Sequence, residues 1–174
     1  MFTPRVFTKA GLLVGSAFLL ATTLPSQALT ARHDSVRTPA MPASGTCGAG
    51  AMAYSVSTDL QTTTSKNYRD VSGTGVSFTQ GAAGCVEVSF SGEGATTPGN
   101  LLVIQAVLDN STVCLPGDDN FASDSPSSDV SDHAMNFICP NVSAGNHSVK
   151  IQFRTRFGGK VALDYRTTIV RYAR

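Results

Sequence analysis

The densest set of oxygen donors in this chain lies in residues 117–133, which carry Asp118, Asp119, Asn120, Asp124, Asp129 and Asp132 and end on His133. Carboxylates and an amide on one loop are the hard ligands that Ca²⁺ prefers. The run has neither the spacing of an EF-hand nor a glycine–aspartate repeat. A solvated loop explains it more simply, because Asp and Ser clusters are what exposed loops are made of. The calcium reading, with Asp118, Asp119, Asn120 and Asp124 as ligands, stands as the alternative, and no other cofactor is expected. A loop this long inside a compact domain is more often functional or mobile than neutral.

Three histidines are present, His33, His133 and His147. His133 follows Asp132 and would bring one imidazole to a metal site, which alone is too few nitrogen ligands to identify one. His147 falls on the inward face of an alternating segment and reads as a core histidine with one nitrogen satisfied.

No catalytic set emerges. No serine sits in a Gly-x-Ser-x-Gly elbow. The only glutamates are Glu87 and Glu93. Glu87 falls on the outer face of a strand, and nothing pairs it with a second carboxylate at glycosidase spacing. Asp164 and Arg166 share a strand face and suggest an ion pair with a neighbouring strand. The expectation is a protein that is not an enzyme. A hydrolase whose acids meet only in the fold would need a second carboxylate beside Glu87 or Glu93 with a perturbed pKa. There is no Trp, and the tyrosines are Tyr54, Tyr68, Tyr165 and Tyr172. That scarcity of stacking surface lowers a carbohydrate-binding reading without removing it. Asn110-Ser111-Thr112, Asn141-Val142-Ser143 and Asn146-His147-Ser148 would accept glycans in a eukaryotic secretory pathway.

The elements that position these residues begin after a leader. Residues 1–28 read as a signal peptide, with Arg5 and Lys9 ahead of an uncharged apolar run over 10–24 and a small-x-small site at Ser26-Gln27-Ala28. Residues 29–46, with Pro39 and Pro42, read as a flexible linker. Residues 47–174 are long enough for one domain with one core. Nothing after the leader is apolar enough to span a membrane. Cys47, Cys85, Cys114 and Cys139, an even count behind a signal, predict disulfides and a secreted or periplasmic location. Sequence alone does not choose among the three connectivities. Cys114–Cys139 with Cys47–Cys85 is the preferred set, because the first pair would tie the two ends of a long loop.

Formal net charge is +1, so the overall balance predicts no nucleic-acid partner. Between Ser72 and Val149 there are eight acids and no Lys or Arg, whereas from Lys150 onward there are seven basic residues and one acid. That asymmetry predicts two differently charged surfaces.

The body consists of short runs cut by Gly, Ser, Thr, Asn and Pro. Strands are expected over 51–57, 68–71, 75–79, 85–90, 101–108, 112–115, 134–139, 148–155 and 161–172. His147, Val149, Ile151 and Phe153 alternate with Ser148, Lys150, Gln152 and Arg154, the period-2 mark of a strand with one face on a core. Gly158-Gly159 suits a tight turn, and Val161, Leu163 and Tyr165 then resume the inward face, so the last two strands are expected to pair as a hairpin. The nearly continuous apolar run 101–108 predicts a central strand covered on both sides. Asp109-Asn110 after it reads as a turn. Eight to nine such strands predict an all-β, antiparallel β-sandwich of jelly-roll type.

The segment Ala144-Gly145-Asn146-His147-Ser148-Val149-Lys150-Ile151 resembles the Ala-Gly-x-His-x-Val-x-Val segment of small secreted or surface-attached bacterial β-sandwich domains. Arg166-Thr167 followed by Ile169-Val170 resembles their closing strand. The resemblance implies a jelly-roll-like sandwich and carries no catalytic residue across. The functional expectation is a secreted, non-catalytic domain with a binding or interaction role and an unknown partner. The alternatives are a carbohydrate-binding module with structural calcium, and the hydrolase described above. Some jelly rolls assemble as trimers, so a homo-oligomer or a surface partner is left open.

Overall fold

The computed structural model describes residues 47–117 and 130–174, together with the backbone of 122–124. The expected leader (1–28) and linker (29–46) lie outside the described residues. The described residues form eleven strands and no helix: β1 Ala51–Ser57, β2 Gln61–Thr63, β3 Arg69–Asp70, β4 Val76–Gln80, β5 Gly84–Thr96, β6 Leu102–Leu108, β7 Thr112–Val113, β8 Ala122–Asp124, β9 Ser131–Val142, β10 Gly145–Thr155 and β11 Val161–Tyr172. Nine lie where alternation or apolar runs place them. The short polar strands β2 and β8 carry neither signal.

Two antiparallel sheets result. One runs β1-β11-β5-β9, with β2 also on β11; the other runs β3-β10-β6-β7, with β4 also on β10 and β8 also on β6. With β1 and β2 counted as one position, β3 and β4 as another, and β7 and β8 as a third, the sheets read first-last-third-sixth and second-seventh-fourth-fifth. That interleaving of late strands between early ones is the double Greek key of a jelly roll. The expected fold class is therefore the observed one.

The core lies between the sheets. Val86, Val88, Phe90, Phe137 and Leu163 enter it from the first sheet, and Phe78, Leu102, Ile104, Ile151 and Phe153 from the second. Burying each such side chain contributes about 1.5–3 kcal/mol relative to exposure. Every residue of β6 is buried, as expected of a strand covered on both faces.

The predicted hairpin does not form. β10 pairs with β6 on one edge and with β3 and β4 on the other, whereas β11 pairs with β1, β2 and β5. Residues 156–160 therefore carry the chain from one sheet to the other. The alternation in β10 was read correctly, since Val149, Ile151 and Phe153 are all buried. Periodicity reports which face meets a core, however, and says nothing of which strand lies alongside. Gly158 takes φ 93° in the connection, and a Cβ on Gly159 would collide with the Thr97 hydroxyl.

Tyr165 is a second correction. Asp164 faces Glu93 and Thr167 faces Ser91, so β11 holds one extra residue there. Tyr165 sits in this bulge at φ 40° and is 61% exposed. The bulge reverses the phase of the strand, and beyond it Arg166, Thr168 and Val170 face inward.

Among the described residues, the charge asymmetry is partly neutralised across strands. β10 and β11 are threaded among earlier strands, which sets their basic residues beside acids. Lys150 Nζ lies 2.8 Å from Asp70 Oδ2, and Arg171 Nη1 lies 3.0 Å from Glu87 Oε1. The disulfides are Cys47–Cys85 and Cys114–Cys139. The second joins the segment after β7 to β9 and so links the two sheets, while Leu115 and Ile138 exchange backbone hydrogen bonds of 2.7 Å beside it.

Candidate functional site

The strongest polar constellation lies where two turns meet the start of β10. β6 ends at Leu108, and Asp109 and Asn110 follow at φ 48° and 59°. Asn and Asp tolerate this left-handed region better than other side chains, and two such residues in succession make a tight turn into β7 that suits the twist of the strands. The Ser111 N–H closes it on the Leu108 carbonyl at 3.1 Å. Because β10 runs beside β6 with Val149 opposite Leu108, Asp109 comes to Ser148 and His147.

Three contacts lock the aspartate there. Its N–H donates to the Ser148 carbonyl at 2.8 Å, and its Oδ1 accepts from the Ser148 N–H at 2.8 Å. Its Oδ2 lies 2.7 Å from His147 Nδ1. The other ring nitrogen of His147, Nε2, lies 2.9 Å from the carbonyl oxygen of Ser143, in the connection between β9 and β10. The imidazole packs at 5.7 Å from the Phe78 ring, which in turn lies 4.9 Å from Tyr172. The His147 side chain is 10% exposed and that of Asp109 is 43% exposed.

This electrostatic arrangement favours two charges. The hydrogen bond to Asp109 is the main influence on His147. Together with the Ser143 carbonyl and the Asp109 charge, it raises the pKa above the ordinary 6.5 against the opposing effect of burial. Desolvation is the largest single influence on Asp109 and pushes its pKa upward. The hydrogen bonds from His147 and the Ser148 N–H, with the His147 charge, together outweigh it and hold the carboxyl below its ordinary 3.8. An imidazolium with a proton on each nitrogen has no lone pair for a base or a metal ligand. His147 is therefore not the singly bonded core histidine expected from sequence, because both of its ring nitrogens meet acceptors at the core's rim.

Around the pair is an open depression of about 360 Å³, lined by Ser77, Phe78, Thr79, Asp109, Asn146, His147 and Ser148. The Thr79 hydroxyl donates to Asn146 Oδ1 at 2.8 Å. The lining offers hydroxyls, an amide and the hydrogen-bonded Asp109–His147 pair. In the sequence Asp109 reads only as part of a turn. Its link to His147 spans 38 residues and depends on the β6–β10 pairing, so no local spacing signalled it.

The other predicted site residues are dispersed. Asp118, Asp119 and Asn120 lie outside the described residues, and of Asp124 only the backbone in β8 is described. Among the described residues no three His, Cys, Asp or Glu side chains gather as a metal site. His133 Nε2 lies 2.8 Å from the Ser131 hydroxyl. Glu87 is paired with Arg171. Glu93 stands in register with Asp164 on β11 and with Asp132 on β9, so the fold does bring further carboxylates beside it. Glu93 and Asp164 border a small depression of about 80 Å³ that Leu60 and Val130 also line. Tyr54 and Tyr165 are exposed but line neither depression.

Arg166 does not form the expected cross-strand ion pair. The bulge turns it inward, where it is 1% exposed. Its Nη1 donates to the carbonyls of Asp59 at 2.5 Å and Leu163 at 2.9 Å. Its Nη2 donates to Ser57 Oγ at 3.1 Å and to the Ser72 carbonyl at 3.2 Å. Burial pulls its pKa below the ordinary value, while the nearby charges of Asp164 and Asp59 oppose that shift.

No protein-family model matches the chain, and no curated protein matches it in sequence. Similar solved structures include Eiger TNF from S. frugiperda, with a TM-score of 0.39 and 10% identity over 70% of this chain and 92% of that one. Another is the CBM36-1 domain of a multidomain xylanase from the hindgut metagenome of Trinervitermes trinervoides, with a TM-score of 0.34 and 11% identity over 68% of this chain and 96% of that one.

Proposed function

We propose that this protein is a secreted, non-catalytic binding domain, and that the depression at Asp109 and His147 takes a neutral, hydroxyl-rich ligand such as an oligosaccharide. The observation that carries this reading is the lining itself. Ser77, Thr79, Asn146 and Ser148 surround the Asp109–His147 pair, whose charges cancel when the imidazole is protonated. Such a surface exchanges hydrogen bonds with hydroxyl groups without asking the ligand to bring a charge. The two disulfides support an oxidising environment. The test is a panel of neutral oligosaccharides titrated into labelled protein and followed by backbone and side-chain NMR. Shifts should concentrate on residues 77–79, 109 and 146–148, and Asn146→Ala should weaken binding at least tenfold. A panel that leaves those resonances unmoved, or moves them equally in Asn146→Ala, overturns the reading.

A further inference from the structure

His147 touches three segments of the chain at once. Its backbone belongs to β10, its Nδ1 meets the Asp109 carboxylate in the turn after β6, and its Nε2 meets the Ser143 carbonyl in the connection after β9. Both partners are acceptors. Both contacts are hydrogen bonds only while both ring nitrogens carry protons; in either neutral tautomer, one contact sets a lone pair against a lone pair. Loss of one proton therefore releases one of the two turns.

We propose that His147 is a pH-operated clamp, which holds the two turns beside the depression together when protonated and lets one go when neutral. The clamp stands on its own geometry; that it shapes a ligand site rests on the reading proposed above.

The surroundings leave this proton to one partner. Among the described residues, Asp109 is the only carboxylate lining the depression. From β4 the ring faces Ser77, Phe78 and Thr79, none of them charged, and behind Phe78 lies the Tyr172 phenol of β11. On β10 itself, Lys150 falls on the opposite face and is bound to Asp70 at 2.8 Å. At the far end of β4, the Gly81 N–H donates to the Ala173 carbonyl at 3.0 Å, which brings Arg174 to that edge.

The direction of the effect follows. The pKa of His147 is raised, so its contribution is complete below the ordinary 6.5 and is lost as pH climbs through the folded midpoint. The pKa of Asp109 is lowered, so its contribution is present above the ordinary 3.8 and is lost as pH falls through its own midpoint. The clamp is closed between those two midpoints and opens on alkalinisation.

The experiment is an NMR titration of the histidine ring signals, with hydrogen exchange of the Ser148 amide and of the amides of residues 143–145 followed over the same pH range. It uses wild type and Asp109→Asn, which keeps an acceptor for Ser148 but removes the charge. In wild type the His147 midpoint should lie above 6.5, and protection at Ser148 or at residues 143–145, whichever turn is released, should fall at least tenfold through that midpoint. In Asp109→Asn the midpoint should drop, and the exchange transition should move with it. A wild-type midpoint at or below 6.5, or protection that is flat across it at both turns, overturns the clamp. No ligand enters this measurement, so a failed oligosaccharide panel removes the binding reading while the titration still decides the clamp.

Discussion

At the scale of single residues, Arg166 is the most demanding group in the molecule. A guanidinium taken out of water needs its donors satisfied, and the two terminal nitrogens of Arg166 find neutral oxygens on Asp59, Leu163, Ser57 and Ser72 in place of a carboxylate, while its buried Nε has no partner among the described residues. Each buried carbonyl stripped of its donor costs about 1–3 kcal/mol. Arg166→Met should therefore destabilise the domain by roughly 3 kcal/mol or more in urea melts. Arg166→Lys keeps the charge but cannot reproduce the planar fork, and should recover less than half of that loss. Stability equal to wild type in the lysine variant would mean that charge alone, and not the fork, is what the site requires. Phe153 and Gln152 make a simpler pair. Phe153 is fully buried, whereas Gln152 sits on the outer face, bound to Asp70 at 2.7 Å and to Gln105 at 2.7 Å. Phe153→Ala should cost about 3–5 kcal/mol, and Gln152→Ala no more than about 1. Comparable midpoints for the two variants in denaturant would contradict the β10 register.

At the scale of elements, the bulge in β11 is what separates this fold from a simple reading of alternation. Without the extra residue, Arg166 would share the outer face with Asp164 and Tyr165 would enter the core. With it, Tyr165 is pushed into solvent in a left-handed conformation that costs an L-residue roughly 1–2 kcal/mol. Glycine pays no such penalty, and little packing is lost with an exposed ring. Tyr165→Gly should therefore stay within about 1 kcal/mol of wild type, whereas the β-branched Tyr165→Val should lose more than that. Thermal melts of both variants give the comparison, and a valine variant as stable as the glycine one would contradict the positive φ. The outer position of Asp164 follows from alternation, but the bulge itself and the exposure of Tyr165 do not. One extra residue matters only against the register of β5 across from it.

At the scale of the whole molecule, the jelly roll is closed by long-range links. Cys47–Cys85 ties the segment before β1 to β5 over a separation of 38 residues, and Cys114–Cys139 ties the two sheets over 25. Loops of such lengths predict a stabilisation of about 3–4 kcal/mol each on the chain-entropy account. Replacing Cys114 and Cys139 by serine should lower the unfolding free energy measured in urea by an amount of that order, with a lower midpoint. A midpoint equal to that of the wild type would show that β7 and β9 are held by other means. Alkylation of the native protein without reductant should label no cysteine, as read by intact mass, because all four are paired. Any labelled thiol would contradict the pairing.

The sequence by itself determined the strands that carry alternation, the faces of β10, the buried run of β6 and the all-β class. Each of these is a local consequence of a pleated chain with one side or both against apolar neighbours. It also held an even set of cysteines, though not their pairing. Only the tertiary structure decided that β10 lies beside β6 rather than β11, that Arg166 turns inward, and that Lys150 and Arg171 meet Asp70 and Glu87. The Asp109–His147 pair belongs to the same class. Partner choice between strands is made by closing two sheets around one core, and the energy of that closure is shared among residues far apart in the chain. No window of neighbouring residues contains it.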